Sequence, residues 1–153
     1  MTLYRLNPSK PDDYALLELA WQWLDAMPRW FKAESCYASF YDRRATAEQV
    51  FSDEYAGVMV FDDGEPVSLI SYTVVEPEIV ETAVISKRNV RPVIVVDAGR
   101  ELNRQMLDRL GIAEIRAWIS RRNRPIRAVL QQLGFESANI EDGRGQLWVL
   151  NNG

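Results

Sequence analysis

Histidine is absent from this sequence and cysteine occurs once, at Cys36. Without histidine there is no ordinary zinc or haem site and no Ser-His-Asp or Cys-His nucleophile, which leaves carboxylates, Tyr, Ser, Lys, Cys and backbone groups for any chemistry. A lone cysteine rules out an internal disulfide, and Cys36 reads as a small buried apolar residue in a reducing cytoplasm. No metal site is expected. Nowhere does an apolar run reach the roughly 18 residues that a membrane span needs. The opening "MTLYRLNPSKPDDYALLELAW" turns polar and proline-bearing where a secretory leader would be apolar, so a soluble, unsecreted chain is expected. Positive charge is also short overall. The net charge is −4, which gives no general attraction to nucleic acid or to an anionic membrane, and neither is expected as a partner.

The positive charge that is present is concentrated. Of 18 basic residues, seven lie in two short runs, Lys87, Arg88 and Arg91, then Arg121, Arg122, Arg124 and Arg127. The length of 153 residues and a hydrophobic share of 47% suit one domain spanning residues 1–153 with a core able to fold unaided.

"TLYRLNP" reads as a first strand. From Asp12, the residues Tyr14, Leu17, Trp21 and Leu24 recur at helical spacing until Pro28. The aromatic stretch "RWFKAESCYASFYDRR" fits either core or the lining of a binding surface, with Trp21, Trp23, Trp30, Tyr37, Phe40 and Tyr41 taken chiefly as core. "ATAEQVFSDEY" predicts a second helix over residues 45–55. "GVMVF" and "PVSLISYTVV" flank the turn "DDGE" as an antiparallel hairpin, and "EIVETAVIS" adds a strand over 78–86. "PVIVVDAGRELNRQMLDRLG" opens on Pro92, closes on Gly111 and repeats Ile94, Ala98, Leu102, Met106 and Leu110 at every fourth position, which predicts a helix of about five turns. "AEIRAWIS" is a strand over 113–120, placed parallel to residues 79–86 by the right-handed crossover between them. "NRPIRAVLQQLGF" is a helix opened by Asn123 and stopped by Gly134, and "FESANI" and "GQLWVL" form a last hairpin. The order is β-α-α-β-β-β-α-β-α-β-β, an α/β (α+β) fold with a mixed, mostly antiparallel sheet of six or seven strands, helices on both faces and one parallel pair.

This order, with the Asn-opened helix after the fifth strand, resembles the GNAT superfamily of acyl-CoA-dependent N-acyltransferases. In that family the helix commonly reads Asn, an apolar residue three positions on, then Gly and an aromatic residue; Asn123, Ile126, Gly134 and Phe135 match. The resemblance implies that the two parallel strands splay apart and that the pantetheine arm of acetyl-CoA lies in the wedge between residues 82–87 and 116–121. It implies cofactor contacts from Val84, Ile85, Ser86, Lys87, Arg88, Arg91, Arg122, Asn123 and Arg127, with the pyrophosphate at the helix that starts near Pro92. Glu81 is the candidate base toward the amine, and Tyr72 is a candidate stand-in for the family's usual acid.

Two positions depart from the family pattern. The phosphate loop usually carries Gly-x-Gly or Gly-x-Ala, whereas "KRNVRPVIV" has no glycine and Pro92 has no N–H to donate. Position 130, commonly the tyrosine that protonates the leaving thiolate, is Leu130. Guanidinium forks beside the two strand ends offer another way to hold phosphate; alternatively these arginines are solvated or pair with Asp97, Glu101 and Asp108. Three readings follow. One is transfer of acetyl from acetyl-CoA to a primary amine on a small molecule or protein. Another is a catalytically silent GNAT-like protein similar to internal virion or interaction proteins of bacteriophages, with virion proteins as partners. The third is a binder that uses the wedge without turnover. Homo-oligomers are compatible with each.

Overall fold

The computed structural model describes residues 1–7, 10–32, 55–143 and 145–152. Its elements, in chain order, are β1 (Thr2–Arg5), α1 (Pro11–Asp25), α2 (Arg29–Lys32), β2 (Tyr55–Asp62), β3 (Glu65–Glu76), β4 (Ile79–Ser86), α3 (Pro92–Asp108), β5 (Glu114–Ile119), α4 (Arg124–Gln132), β6 (Glu136–Asp142) and β7 (Gly145–Asn151). The expected helix over 45–55, together with Cys36, Tyr37, Phe40 and Tyr41, lies outside the described residues, apart from Tyr55, which begins β2.

The strands form one seven-stranded sheet in the order β1-β2-β3-β4-β5-β7-β6. Every neighbouring pair is antiparallel except β4 with β5. The hairpin between β2 and β3 turns through Asp63 at φ 52° and Gly64 at φ 78°, two consecutive positive angles that match the right-handed twist of the flanking strands.

Alternation along the strands sorts the side chains into two layers. Val58, Val60, Ile70, Tyr72, Val80, Ile115, Ala117 and Ile119 meet α3 and α4 through Ile94, Ala98, Leu102 and Leu130. On the other face Met59, Leu69 and Ile85 meet α1 through Leu17, Ala20, Trp21 and Leu24, which recur at the spacing of one helical face. Asp13 does more than complement the dipole at the start of α1. It is buried and accepts from the Tyr4 hydroxyl at 2.9 Å and from the Asn7 amide, tying the helix to β1, and the neighbouring carboxylate pushes the Tyr4 phenol up.

The expected stripe on α3 holds at Ile94, Ala98 and Leu102 but fails at Leu110, which is 65% exposed. Two causes combine. Residues four apart advance about 40° beyond a full turn, so a strict fourth-residue repeat drifts off any one face. The helix also ends at Asp108, and Gly111 takes φ 66° beyond the cap rather than at it.

The Asn-to-Gly-Phe helix α4 is capped at both ends. The Asn123 side chain accepts from the Ile126 amide at 3.4 Å. At the other end Phe135 donates to the Leu130 carbonyl at 3.0 Å and Gly134, at φ 88°, to that of Gln131 at 3.1 Å. These two bonds are a Schellman motif, and the accompanying apolar contact is between Phe135 and Leu130, both in the core.

Candidate functional site

The parallel seam is short. β4 and β5 pair at Ile79–Glu114, Val80–Ile115 and Glu81–Arg116, and the ladder stops there. Beyond Glu81 each strand keeps its outer neighbour: β4 stays on β3 as far as Ser86, and β5 stays on β7 as far as Ile119. The two therefore part where the wedge was expected. Lys87 donates its amide to Val67 on β3, and the Glu78 carbonyl accepts from Ala113 on the β5 side. Backbone groups alternate along a strand, so those of Thr82, Val84 and Ser86 are directed toward the parted side.

A cavity of about 440 Å³ opens at this end of the seam. Its walls are Val84 and Ser86 of β4, the loop Lys87–Val90, Pro92 and Val95 of α3, Arg122 and Asn123, and Pro125, Ile126 and Val129 of α4. The remaining wall comes from the opposite face of the sheet, from Met27, Pro28, Trp30 and Phe31 around the α1–α2 turn. The cavity thus joins the two sides of the sheet around the open seam. That volume suits an extended arm of a ligand but not a whole nucleotide conjugate, whose charged end has to lie at the mouth. Trp118 is buried and is not among the residues that line this cavity.

The two basic runs do not act together. Lys87, Arg88 and Arg122 reach the cavity. Arg91 turns away to an ion pair with Asp62 at 3.0 Å, Arg121 pairs with Glu141, and Arg127 donates to the Arg121 carbonyl at 3.2 Å. Lys87 also touches Glu65 at 3.4 Å, while among the described residues Arg88 and Arg122 have no ion-pair partner. Asp97 and Glu101 are not their partners; they pair with Arg100 and Arg104 on α3 itself. Of the nine expected cofactor contacts, Val84, Ser86, Lys87, Arg88, Arg122 and Asn123 line the cavity. Arg91 and Arg127 do not, because closer partners hold them. Ile85 does not either, because strand alternation buries it against α1 and directs its carbonyl to β3, where it accepts from Ser68 at 3.4 Å.

The glycine-free loop is resolved by an asparagine. Asn89 takes φ 64°, the left-handed conformation that asparagine tolerates better than other side-chain-bearing residues, inside a turn closed by Val90 donating to the Lys87 carbonyl at 3.4 Å. Even so, the start of α3 has few amides to offer an anion. Pro92 has none, and Ile94 already donates to the Arg91 carbonyl at 3.1 Å.

Glu81 occupies the last paired rung of the seam and is half-buried. It shares the α1 side of β4 with Ala83 and Ile85 and lies outside the cavity walls, three residues or roughly 10 Å along the strand from Val84. Tyr72 is 2% exposed. Its hydroxyl donates to Asn103 Oδ1 on α3 at 2.6 Å, and burial pushes the phenol well above its ordinary value. Tyr72, Thr82, Asn103 and Leu130 surround a second, smaller space of about 20 Å³ that shares Val84, Val95, Ile126 and Val129 with the large cavity. Asn103 was not picked out from the sequence, and of the wall from Met27 to Phe31 only the aromatic stretch from Arg29 was, as either core or the lining of a binding surface; Trp30 and Phe31 line the cavity.

Among the described residues no group of three His, Cys, Asp or Glu side chains is placed to hold a metal, and no helix is long and apolar enough to cross a membrane.

A mixed sheet whose single parallel seam splays, with α1 on one face and α3 and α4 on the other, is the GNAT fold, and this chain has it. Solved structures that share it include the Campylobacter jejuni N-acetyltransferase PseH in complex with acetyl coenzyme A, at TM-score 0.69 and 15% identity over 99% of both chains. The aminoglycoside acetyltransferase AAC(6′)-Ib in complex with coenzyme A aligns at TM-score 0.70 and 10% identity over 98% of this chain and 95% of that one. A spermidine N-acetyltransferase SpeG chimera from Vibrio cholerae and hSSAT aligns at TM-score 0.73 and 14% identity over 99% and 97%. At such identities the similarity is one of fold. No protein-family profile matches the sequence, and no curated protein matches it.

Proposed function

We propose that this chain transfers an acetyl group from acetyl-CoA to a primary amine. The observation that carries the reading is the seam itself: the ladder between β4 and β5 ends at Glu81–Arg116, and the cavity that opens beyond it is rimmed by Lys87, Arg88 and Arg122. The end of β4 at Ser86 offers backbone groups to an amide-bearing arm, and the guanidinium forks of Arg88 and Arg122 offer bidentate donors to phosphate where the amides of α3 are scarce. The residues present therefore fit the group, by side-chain charge in place of a glycine cradle. Bound there, acetyl-CoA supplies an acetyl group whose carbon–sulfur bond breaks as the carbon–nitrogen bond to the amine forms, the electron pair leaving on sulfur.

Glu81 receives the proton lost by nitrogen, through water because of its distance from the cavity wall, and passes it to solvent. Leu130 has no proton to give. Tyr72 is unsuited to the task, since its proton is held by Asn103 and its pKa stands far above the roughly 8.5 of a thiol. In this reading sulfur takes its proton from water, and Tyr72 is a positioning residue that locks α3 onto β3.

Leu130 also favours a second reading, in which the chain binds acyl-CoA or a partner without turnover, as in the phage virion alternative. Calorimetric titration with acetyl-CoA and desulfo-CoA, followed by thiol release in the presence of amines, separates the two. Micromolar binding with turnover that falls by about 100-fold or more in Glu81→Gln at unchanged affinity supports transfer. Binding without turnover supports a silent acyl-CoA binder, and no binding at millimolar ligand refutes transfer and favours the silent protein that binds a partner instead.

A further inference from the structure

Neither Leu130 nor Tyr72 can meet the negative charge that gathers on a departing sulfur, but the inner end of the cavity carries a group that can. Thr82 is the first residue of β4 beyond the last rung of the seam, Glu81–Arg116. Side chains alternate along a strand: Ala83 and Ile85 pack against α1, Val80 and Val84 pack toward α3 and α4, and Thr82 shares the face of the second pair. It is half-buried there, stands opposite Tyr72 of β3 and lines the space of about 20 Å³ that Leu130 and Asn103 also border. Val84, Val95, Ile126 and Val129 are walls of both this space and the large cavity, so the small space continues the large one inward. Thr82 lies two residues, roughly 7 Å, along the strand from Val84. The space has room for one water-sized group, and its lining is apolar except at Thr82, Tyr72 and Asn103.

These three polar residues differ in what they can offer. The Tyr72 proton is committed to Asn103 Oδ1 at 2.6 Å, a bond that also fixes the Asn103 amide. The Thr82 hydroxyl leans on the Tyr72 oxygen, where it opposes the rise that burial imposes on the phenol. A hydroxyl rotates to suit its surroundings, and Tyr72 keeps its bond to Asn103 when Thr82 turns away. The Thr82 proton is therefore the one free to turn to a ligand.

We propose that Thr82 donates a hydrogen bond to the sulfur of the CoA arm as the acetyl group leaves. With its charged end at the mouth beside Arg88 and Arg122, the arm runs inward along the walls that face α3 and α4, and its far end is sulfur. When the carbon–sulfur bond breaks, the electron pair stays on sulfur, and the Thr82 hydroxyl stabilises that charge while keeping its own proton, because an alkyl hydroxyl is a far weaker acid than a thiol. Water then protonates the thiolate. This inference rests on the reading in which acetyl-CoA occupies the cavity, but a contact with sulfur is measurable whether or not an amine is acylated.

The test compares CoA with desulfo-CoA, which lacks only the sulfur, by calorimetry at about pH 9, above the roughly 8.5 at which a thiol ionises. A hydrogen bond to a charged acceptor predicts that the parent binds CoA about ten- to hundredfold more tightly than desulfo-CoA. Thr82→Val should erase that preference at unchanged affinity for desulfo-CoA, and Thr82→Ser should restore it. The ultraviolet absorbance of the bound thiolate should titrate about one pH unit or more higher in Thr82→Val, because the donor favours the charged form. With acetyl-CoA and an amine, kcat should fall about ten- to hundredfold in Thr82→Val with KM for acetyl-CoA little changed. The double variant Tyr72→Phe with Asn103→Leu, which lacks the other two polar groups of the space, should keep the preference for CoA. A preference that survives Thr82→Val, or that the double variant loses while Thr82 is intact, overturns the proposal and leaves CoA binding standing. A preference that Thr82→Val erases in a protein that turns over no amine supports the sulfur contact while transfer fails, and binding of neither ligand overturns both. Thermal melts of each variant show whether the fold is kept.

Discussion

Replacing Tyr72 by phenylalanine removes one oxygen from the junction between sheet and helix and tests whether that oxygen holds the fold or moves a proton. The Tyr72 hydroxyl donates to Asn103 Oδ1 at 2.6 Å, and both residues are buried. Without it the amide oxygen has lost its donor inside the core, a loss of about 1–3 kcal/mol. The adjoining space of about 20 Å³ is large enough for one water, which can settle between Asn103 and Thr82 and hold the loss to the lower half of that range. For a chain of this length each kcal/mol lowers Tm by roughly 2–4 °C, so Tyr72→Phe should melt about 2–8 °C below the parent. Urea unfolding gives the free energy, and the double variant Tyr72→Phe with Asn103→Leu should recover most of it, because removing both partners leaves no orphaned group. Turnover should stay within about twofold of the parent. A kcat lowered by about 100-fold with unaltered stability and unaltered KM for acetyl-CoA would refute this reasoning and make Tyr72 the acid.

Arg88→Ala and Arg122→Ala should each weaken CoA binding roughly 10- to 100-fold by titration, and the loss should shrink as salt is raised, because each removes a charge-assisted contact. Arg91→Ala, whose guanidinium is held by Asp62 at 3.0 Å, should change CoA affinity little. Gly145→Ala should be severely destabilising in a thermal melt, on the order of 3 kcal/mol or more, because a Cβ there would run into the Ile119 carbonyl oxygen and the residue sits at φ 110°. On α3, hydrogen bonds from Arg104 and Gln105 hold the Glu101 carboxyl down to about 2, below its ordinary 4.5. A depressed acid stabilises the fold above the ordinary value and loses that contribution as pH falls through the lowered one. The stability difference between the parent and Glu101→Gln should therefore shrink between about pH 5 and pH 2, modestly and less so in high salt because the pair is exposed.

Periodicity and punctuation made most of the fold legible. Apart from α2 over Arg29–Lys32, which lies in the stretch left ambiguous, the order of the described elements, the "DDGE" hairpin and the parallel placement of residues 79–86 and 113–120 follow from apolar spacing, turn residues and the hand of the crossover. Asn123 and Gly134 could be read as helix ends, and they are. What escaped depends on tertiary placement. Arg91 and Arg127 look equivalent to Arg88 and Arg122 in sequence, but which arginine faces the cavity depends on where Asp62 and the Arg121 carbonyl lie. Asn89 gave no signal as a turn residue because the glycine expected there was missing. Asn103 reads as one polar residue on a long helix and acquires meaning only when Tyr72, 31 residues earlier, arrives opposite it. Trp30 and Phe31 were visible as aromatic, but whether they served core or site could not be decided before α2 was placed beside β4.

The three-rung ladder between β4 and β5 divides the sheet into two plates, β1 to β4 and β5 to β6, stitched along a fraction of one edge. Gly99 packs α3 against α4 so tightly that a Cβ there would lie 3.0 Å from Leu133, which binds the two helices that bridge the plates into one strut. Widening the gap then means pivoting about Ile79–Glu81, with few hydrogen bonds to break. The amides of that short seam should exchange with solvent sooner than those of β2 and β3 along their long shared ladder.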